Sequence, residues 1–410
     1  MTLRGSLARI LLNTNPDKEL PMPVSRRRQV QAPGIIRMPR WLAVLASVLG
    51  TILGLATNLY STQFRDAIAA SGRHISSAVV SAIIAAVVTS AATAFIYRWL
   101  VRRSQRNAQI LPGEIKIQSD ILDALADEHD SVVGRSLHYL EAKRDSSELV
   151  VFLHGLGLDA NDFRPYMAES KFHCVALTLY GFNEDEKDDD RYRPISLQTH
   201  VQLLAYALKA LQESNPRKRM ALVGFSFGAD VIFFLVQYCI ESIRALKVST
   251  ALLLDPNVNC TTTTISSRIA RVDENRPLGE LVKILDSAGD VSEFRNLCEY
   301  LYKITSKNFA QIQRHAKDIL EMWGSDSYDN FLDRMGQLAR VTEEIHVVLS
   351  FDYESHFNTI ARGAVGRGLD PTNLECSRYS HFELIGPRFL KDRLEGVLWR
   401  EVGHFDWPEL

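Results

Sequence analysis

A doubly wound, mostly parallel α/β sheet preceded by a helical membrane hairpin is the architecture this 410-residue sequence predicts. Three observations carry it. From residue 136 onward, short apolar runs of strand length alternate with longer segments of helical period, the pattern of a parallel sheet with crossover helices. One such run, Met220 to Val223, leads into Gly224-Phe225-Ser226-Phe227-Gly228 and directly out into an apolar helix from Ala229. Two long charge-free runs stand near the start of the chain.

Composition is that of a globular protein, 46% hydrophobic and 23% charged, and the formal net charge of −2 supplies no general attraction for nucleic acid. The five cysteines, Cys174, Cys239, Cys260, Cys298 and Cys376, form no C-x-x-C pair. Neither a disulfide framework nor a metal site is indicated, no cofactor is expected, and a reducing compartment fits.

Residues 1–40 are basic, with Arg26, Arg27 and Arg28 adjacent, and are expected to be disordered. Residues 41–60 and 75–97 carry no charge, and at 1.5 Å per residue each reaches about 30 Å, a bilayer's hydrocarbon thickness. They read as two transmembrane helices. Trp41, Tyr60, Tyr97 and Trp99 stand at their ends, where amphipathic rings prefer the interface. Both outer flanks are rich in arginine, whereas the connecting loop holds only Arg65 and Arg73. The N-terminus and everything after the second run are therefore expected in the cytoplasm.

Residues 104–118 read as a linker, broken by Pro112-Gly113, and 119–410 as the catalytic-type domain. Ile121 to Glu128 is expected as a short helix. Ser136 to Ala142 alternates as a half-buried strand, and Leu149 to Leu153 is continuous enough for a fully buried one. Further strands are expected at Cys174–Leu179, Thr250–Leu254, Ile345–Ser350 and Leu374–Tyr379, with helices at Leu197–Gln212, Ala229–Glu241 and Arg388–Val402. Between them, about 258–340 shows helical periods only, a helical lid inserted between two strands. Asn183 to Asp190 is strongly acidic and reads as a solvated loop.

The Gly224-to-Gly228 stretch has a steric logic. A serine on a tight strand-to-helix turn leaves no room for side chains two residues before and after it. Together with Leu137-His-Tyr-Leu-Glu-Ala142, His154-Gly-Leu-Gly157 and Ser380-His-Phe-Glu-Leu384, in that order, it resembles the α/β-hydrolase family over residues 136–385. The resemblance implies a nucleophile elbow at Ser226, then an acid, then a histidine. For the acid, Asp352 just past the late strand is preferred, with Glu354 and Asp255 as alternatives. For the base, His381 is preferred, with His404 and His356 as alternatives. It further implies oxyanion-hole amides from Leu156 and Phe227, and a structural role for His154.

A serine hydroxyl needs a base within hydrogen-bond reach and a third group to hold that base. If the three groups meet, the expected activity is that of a membrane-anchored serine hydrolase. It would cleave an ester or thioester through an acyl-enzyme, with a small-molecule or lipid-like acyl substrate. Two other classes stay open: a non-catalytic ligand-binding or signalling module of the same fold, and a membrane-perturbing effector acting through the hairpin.

Overall fold

The computed structural model describes residues 109–118, 128–132, 134–187, 192–273 and 278–398. The charge-free runs 41–60 and 75–97, the helix expected over Ile121–Glu128 and His404 all lie wholly or mainly outside them. Among the described residues, no helix is long and apolar enough to cross a membrane.

Eight strands form one sheet in the order β1-β2-β4-β3-β5-β6-β7-β8. They are β1 Leu111–Lys116, β2 Ser136–Ala142, β3 Glu148–Leu153, β4 His173–Thr178, β5 Arg219–Phe225, β6 Val248–Leu254, β7 Thr342–Leu349 and β8 Leu374–Cys376. β1 and β2 run antiparallel, and every pairing from β4 through β8 is parallel. β3, β4 and β6 are buried along their whole length, as strands covered on both faces must be.

The helices are α1 His129–Val132, α2 Arg164–Glu169, α3 Leu197–Ser214, α4 Phe227–Leu246, α5 Thr264–Ala270, α6 Leu278–Leu285, α7 Val291–Thr305, α8 Phe309–Met322, α9 Asp329–Leu338, α10 Glu354–Gly366 and α11 Pro387–Leu398. α3 packs on α4, and α11 on α2. The chain turns back after β4, so right-handed crossovers place α2 and α3 on opposite faces of the sheet. Side-chain caps start three of the long helices: Ser196 accepts from Thr199 N–H for α3, Asp290 from Glu293 N–H for α7 and Asn308 from Gln311 N–H for α8. All of α5 to α9 lies between β6 and β7, within the stretch 258–340 that was expected to be helical.

Two details depart from expectation. The stretch 104–118, expected as linker, contains strand β1. Pro112 is tolerated because β1 is an edge strand and pairs on one side only. Gly113 fits because the Tyr139 ring lies over it: a Cβ there would be 2.3 Å from that ring. Helix α10, directly after the acid-bearing loop of β7, was not expected at all.

The parallel register aligns the strand ends. Leu153 pairs with Gly224, Gly224 with Leu253, Leu253 with Val347 and Val347 with Leu374. The loops carrying His154, Ser226, Asp255, Asp352 and His381 therefore all leave the carboxyl edge of one sheet, where ligands bind in open α/β folds.

Candidate active site

β5 ends at Phe225 and α4 begins at Phe227, leaving Ser226 alone on the turn with φ 51° and ψ −119°. That left-handed backbone is costly for any residue but glycine. It is held by the Ser226 N–H, which donates to Leu254 O at 2.7 Å, and by Ser226 O, which accepts from Ala229 and Asp230 N–H. The flanking glycines are required sterically. A Cβ on Gly224 would lie 2.6 Å from Gly228 O, and one on Gly228 would lie 2.2 Å from Leu153 O. Ser226 O takes up the third and fourth amides of the turn. The Phe227 and Gly228 N–H groups have no acceptor among the described residues, and they stand at the positive end of α4.

A further candidate donor comes from the loop after β3. His154 is fully buried, and its Nε2 accepts from Leu179 N–H at 3.0 Å. The ring proton is therefore on Nδ1, which donates to Gly155 O at 2.8 Å. Burial pushes this imidazole down to about 4, so it stays neutral. Gly155 O also accepts from Leu158 N–H at 3.0 Å. In a trans peptide the N–H points opposite to the C=O. Fixing Gly155 O from two sides thus fixes the direction of Leu156 N–H, which has no acceptor among the described residues. The role expected for His154, structural rather than as base, matches this placement.

His381 Nδ1 lies 2.5 Å from Asp255 Oδ2. Here the structure departs from the preference for Asp352. Asp255 is the first residue beyond β6, and Phe225 pairs with Leu254, so Asp255 stands one strand over from Ser226. Asp352 leaves β7, two strands over, in a short 3-10 turn Phe351–Tyr353, where its carboxylate accepts from Ser350 Oγ at 3.3 Å. It is exposed by surface area, and partial desolvation by its neighbours together with the charge of Asp255 raises its pKa. Glu354 is exposed at the first residue of α10. His356 lies on α10, with Nδ1 2.6 Å from Tyr328 Oη.

Asp255 is built to hold one orientation. Its side chain is 1% exposed. Oδ1 accepts from Ser350 N–H at 2.6 Å, its own N–H donates to Val348 O at 2.8 Å, and its φ is 51°. Of the three non-glycine residues with positive φ among those described, Ser226, Lys247 and Asp255, two belong to this site, and Lys247 closes α4 in a left-handed cap. The clustering of strain is what functional sites show. Neither Ser226 Oγ nor His381 Nε2 has a hydrogen-bond partner among the described residues, so the structure joins His381 to Asp255 but does not hydrogen-bond it to Ser226. The Phe225 ring packs against the His381 ring with centroids 4.7 Å apart.

Helices inserted between β6 and β7 bring rings toward the elbow. Tyr300 of α7 packs against Phe382 at 5.5 Å, and the His315 ring of α8 stacks on Phe227 at 5.4 Å and on Phe182 at 5.9 Å. His315 is held in turn. Tyr180 N–H donates to His200 Nε2 at 3.0 Å, so His200 Nδ1–H donates to His315 Nε2 at 2.7 Å, and His315 Nδ1–H donates to Asp318 at 3.1 Å. Burial lowers both imidazoles. This buried pair was missed in the sequence, where His200 and His315 are lone histidines on helices. Of the acidic loop expected to be solvated, Glu186 instead turns inward, accepting from the Gly181 and Asn183 N–H groups, and burial raises it to about 7.

The sequence model of the alpha/beta hydrolase family matches residues 150–408. No curated protein matches the chain in sequence. The chain is similar to several solved structures. A variant of AqdC in complex with its substrate, described in connection with ring cleavage of the Pseudomonas quinolone signal, is 14% identical. It covers 71% of this chain and 100% of its own, with a TM-score of 0.50. MenH from S. aureus is 16% identical over 65% of this chain and 99% of its own, with a TM-score of 0.47. A membrane phospholipase A described as a bacterial virulence factor is 14% identical over 90% of this chain and 100% of its own, with a TM-score of 0.45. At such identities the likeness is one of fold alone.

Proposed function

The chain belongs to the alpha/beta hydrolase family, and from that footing we propose that it is a serine hydrolase cleaving a carboxylic ester or thioester through an acyl-enzyme. The observation that carries this reading is the Asp255–His381 pair, set on the same sheet edge as the strained elbow at Ser226. Asp255 keeps the His381 proton on Nδ1 and leaves Nε2 as an acceptor. Nε2 takes the Ser226 proton as Oγ attacks the substrate carbonyl. Negative charge then develops on the carbonyl oxygen, where the Leu156 and Phe227 N–H groups receive it; each such donor contributes about 3 kcal/mol in the transition state. His381 returns the proton to the leaving oxygen or sulfur, and the acyl group stays on Ser226. Water, deprotonated by the same Nε2, releases the acid and restores the serine.

The walls favour an apolar acyl chain. Phe225, Phe227, Phe382 and Tyr300 bring rings toward the elbow. The charge-free runs 41–60 and 75–97 belong to the same proposal, as two spans that hold the hydrolase domain on the cytoplasmic face of a bilayer, close to lipid-like substrates.

Labelling with a fluorophosphonate tests the chemistry. Wild-type chain should label on Ser226 and Ser226→Ala should not; a wild-type chain that stays unlabelled removes the hydrolase reading. Protease added to sealed inverted vesicles tests the topology, since a domain protected there is not cytoplasmic. Turnover of esters of graded chain length then ranks the acyl groups.

A further inference from the structure

Lys307, just past the end of lid helix α7, is buried and its side chain is wholly inaccessible. Its Nζ donates to Gly157 O at 2.8 Å and pairs with Asp159 Oδ2 at 2.8 Å. The contact leads to a candidate oxyanion donor through two peptide planes. The Gly157 carbonyl held by Lys307 shares its plane with Leu158 N–H. That N–H grips Gly155 O, whose plane carries Leu156 N–H. The loop is confined from other sides as well. Gly157 has φ 78°, and a Cβ there would lie 2.6 Å from Ile304 Cγ1 of the same lid helix. Asp159 accepts from Asn161 N–H, and its own N–H donates to Asp162, which pairs with Lys303 one turn up α7.

Stability alone is a poor account of this lysine. Withdrawing an ammonium and a carboxylate from water costs several kcal/mol, and apolar replacements of buried ion pairs are often neutral or stabilising. What a hydrocarbon cannot do is hold a carbonyl oxygen in a fixed direction.

We propose that Lys307 is a positioning residue that couples the lid to the oxyanion hole, so that Leu156 N–H is aimed at the reacting oxygen only while α7 is seated on the loop. This rests on the serine-hydrolase reading above. Lid movement in this arrangement is a switch on chemistry as well as on access: lifting α7 withdraws the donor from Gly157 O and leaves the loop free to rotate.

The test uses the full-length chain with p-nitrophenyl butyrate turnover, fluorophosphonate labelling rate and thermal midpoint. Lys307→Met leaves Asp159 buried without its partner, so both the midpoint and kcat fall. Adding Asp159→Asn removes the orphaned charge and restores the midpoint. If Lys307 aims the loop, kcat and labelling in the double variant stay reduced by about 10- to 100-fold, with KM within about threefold, as expected for a misplaced donor. Lys283→Met on α6, which removes an ion pair to Glu280 of the same helix and touches no part of the loop, keeps wild-type kcat. Recovery of kcat together with the midpoint in the double variant overturns the coupling and leaves a merely structural ion pair. Wild-type chain that neither labels nor turns over overturns the hydrolase reading underneath, which is a distinct result.

Discussion

Replacing Asp255 by asparagine removes one acceptor from a carboxylate that serves two donors. In the folded chain Oδ1 takes Ser350 N–H at 2.6 Å and Oδ2 takes the proton on His381 Nδ1 at 2.5 Å. An amide has one acceptor oxygen, and the backbone N–H of Ser350 cannot turn away to suit it. The substituted side chain would therefore give its oxygen to Ser350 and present its NH2 to His381. An NH2 facing Nδ1 requires Nδ1 to accept, which moves the imidazole proton to Nε2. The histidine then has no lone pair for the serine proton. The expected loss in kcat is about 10⁴-fold, equivalent to about 5.4 kcal/mol of barrier. Asp352→Asn is the matched control. Its carboxylate is exposed, accepts only from Ser350 Oγ among the described residues, and acts on Asp255 and His381 through charge alone, so kcat should hold within about tenfold. The assay is p-nitrophenyl butyrate hydrolysis normalised to fluorophosphonate-titrated sites, with circular dichroism to show that both variants fold. A drop of about 10³-fold or more in Asp352→Asn, with Asp255→Asn within about tenfold of wild type, would refute the assignment of the acid.

Gly228→Ala places a methyl 2.2 Å from Leu153 O, a backbone atom that cannot retreat. A loss of about 3 kcal/mol or more is expected, read as a lowered urea midpoint, and an unchanged midpoint would contradict the packing at the elbow. Ser226→Gly should abolish labelling yet raise stability by about 1 kcal/mol, because glycine accepts φ 51° without a Cβ penalty. A destabilised Ser226→Gly would mean that the turn is not strained. His154 gives a pH signature. An unfolded histidine titrates near 6.5, whereas this buried one is held at about 4. Between those values the unfolded chain binds a proton that the folded chain refuses, so stability falls as pH falls, by about 1.4 kcal/mol per unit and about 3 kcal/mol in all. His154→Gln should reduce the slope of unfolding free energy against pH between 6.5 and 4, leaving the part that buried His200 and His315 contribute; equal slopes in variant and wild type would sink the assignment.

The strand pattern, the elbow and the helical insertion were legible because each is written in contiguous residues. Ser136–Ala142 alternates and forms β2 with those same bounds, and Gly224 and Gly228 are placed as the turn's crowding demands. The acid was harder to choose. Sequence places both Asp255 and Asp352 immediately beyond a strand, but the nearer one to the serine is decided by lateral strand order, and β6 lies between β5 and β7. The residues Phe351–Tyr353 and α10 then carry Asp352 outward. Asp255 did carry a signal, a carboxylate directly after a fully apolar strand, but the following proline reads equally as a strand terminus. Lys307 carried none. A single lysine after an amphipathic helix ordinarily faces water, and its acceptor stands 150 positions earlier in the chain. Strand β1 was hidden because Pro112-Gly113 breaks strands wherever pairing occurs on both sides, and here it occurs on one.

The spacing of these partners along the chain also sets when hydrolysis can begin. Ser350 donates to Asp255 across 95 positions, and His381 reaches Asp255 across 126. Pairing of β6 with β7 must close over the whole insertion that separates them, a long loop whose closure is entropically costly and slow relative to local helix formation. A nascent chain emerging from the ribosome thus exposes Ser226 long before it holds the groups that would activate it. On the proposed reading, the reactivity of Ser226 is withheld until residue 381 has been made and the long-range contacts have closed, so chains that stop short of His381 are expected to be chemically silent.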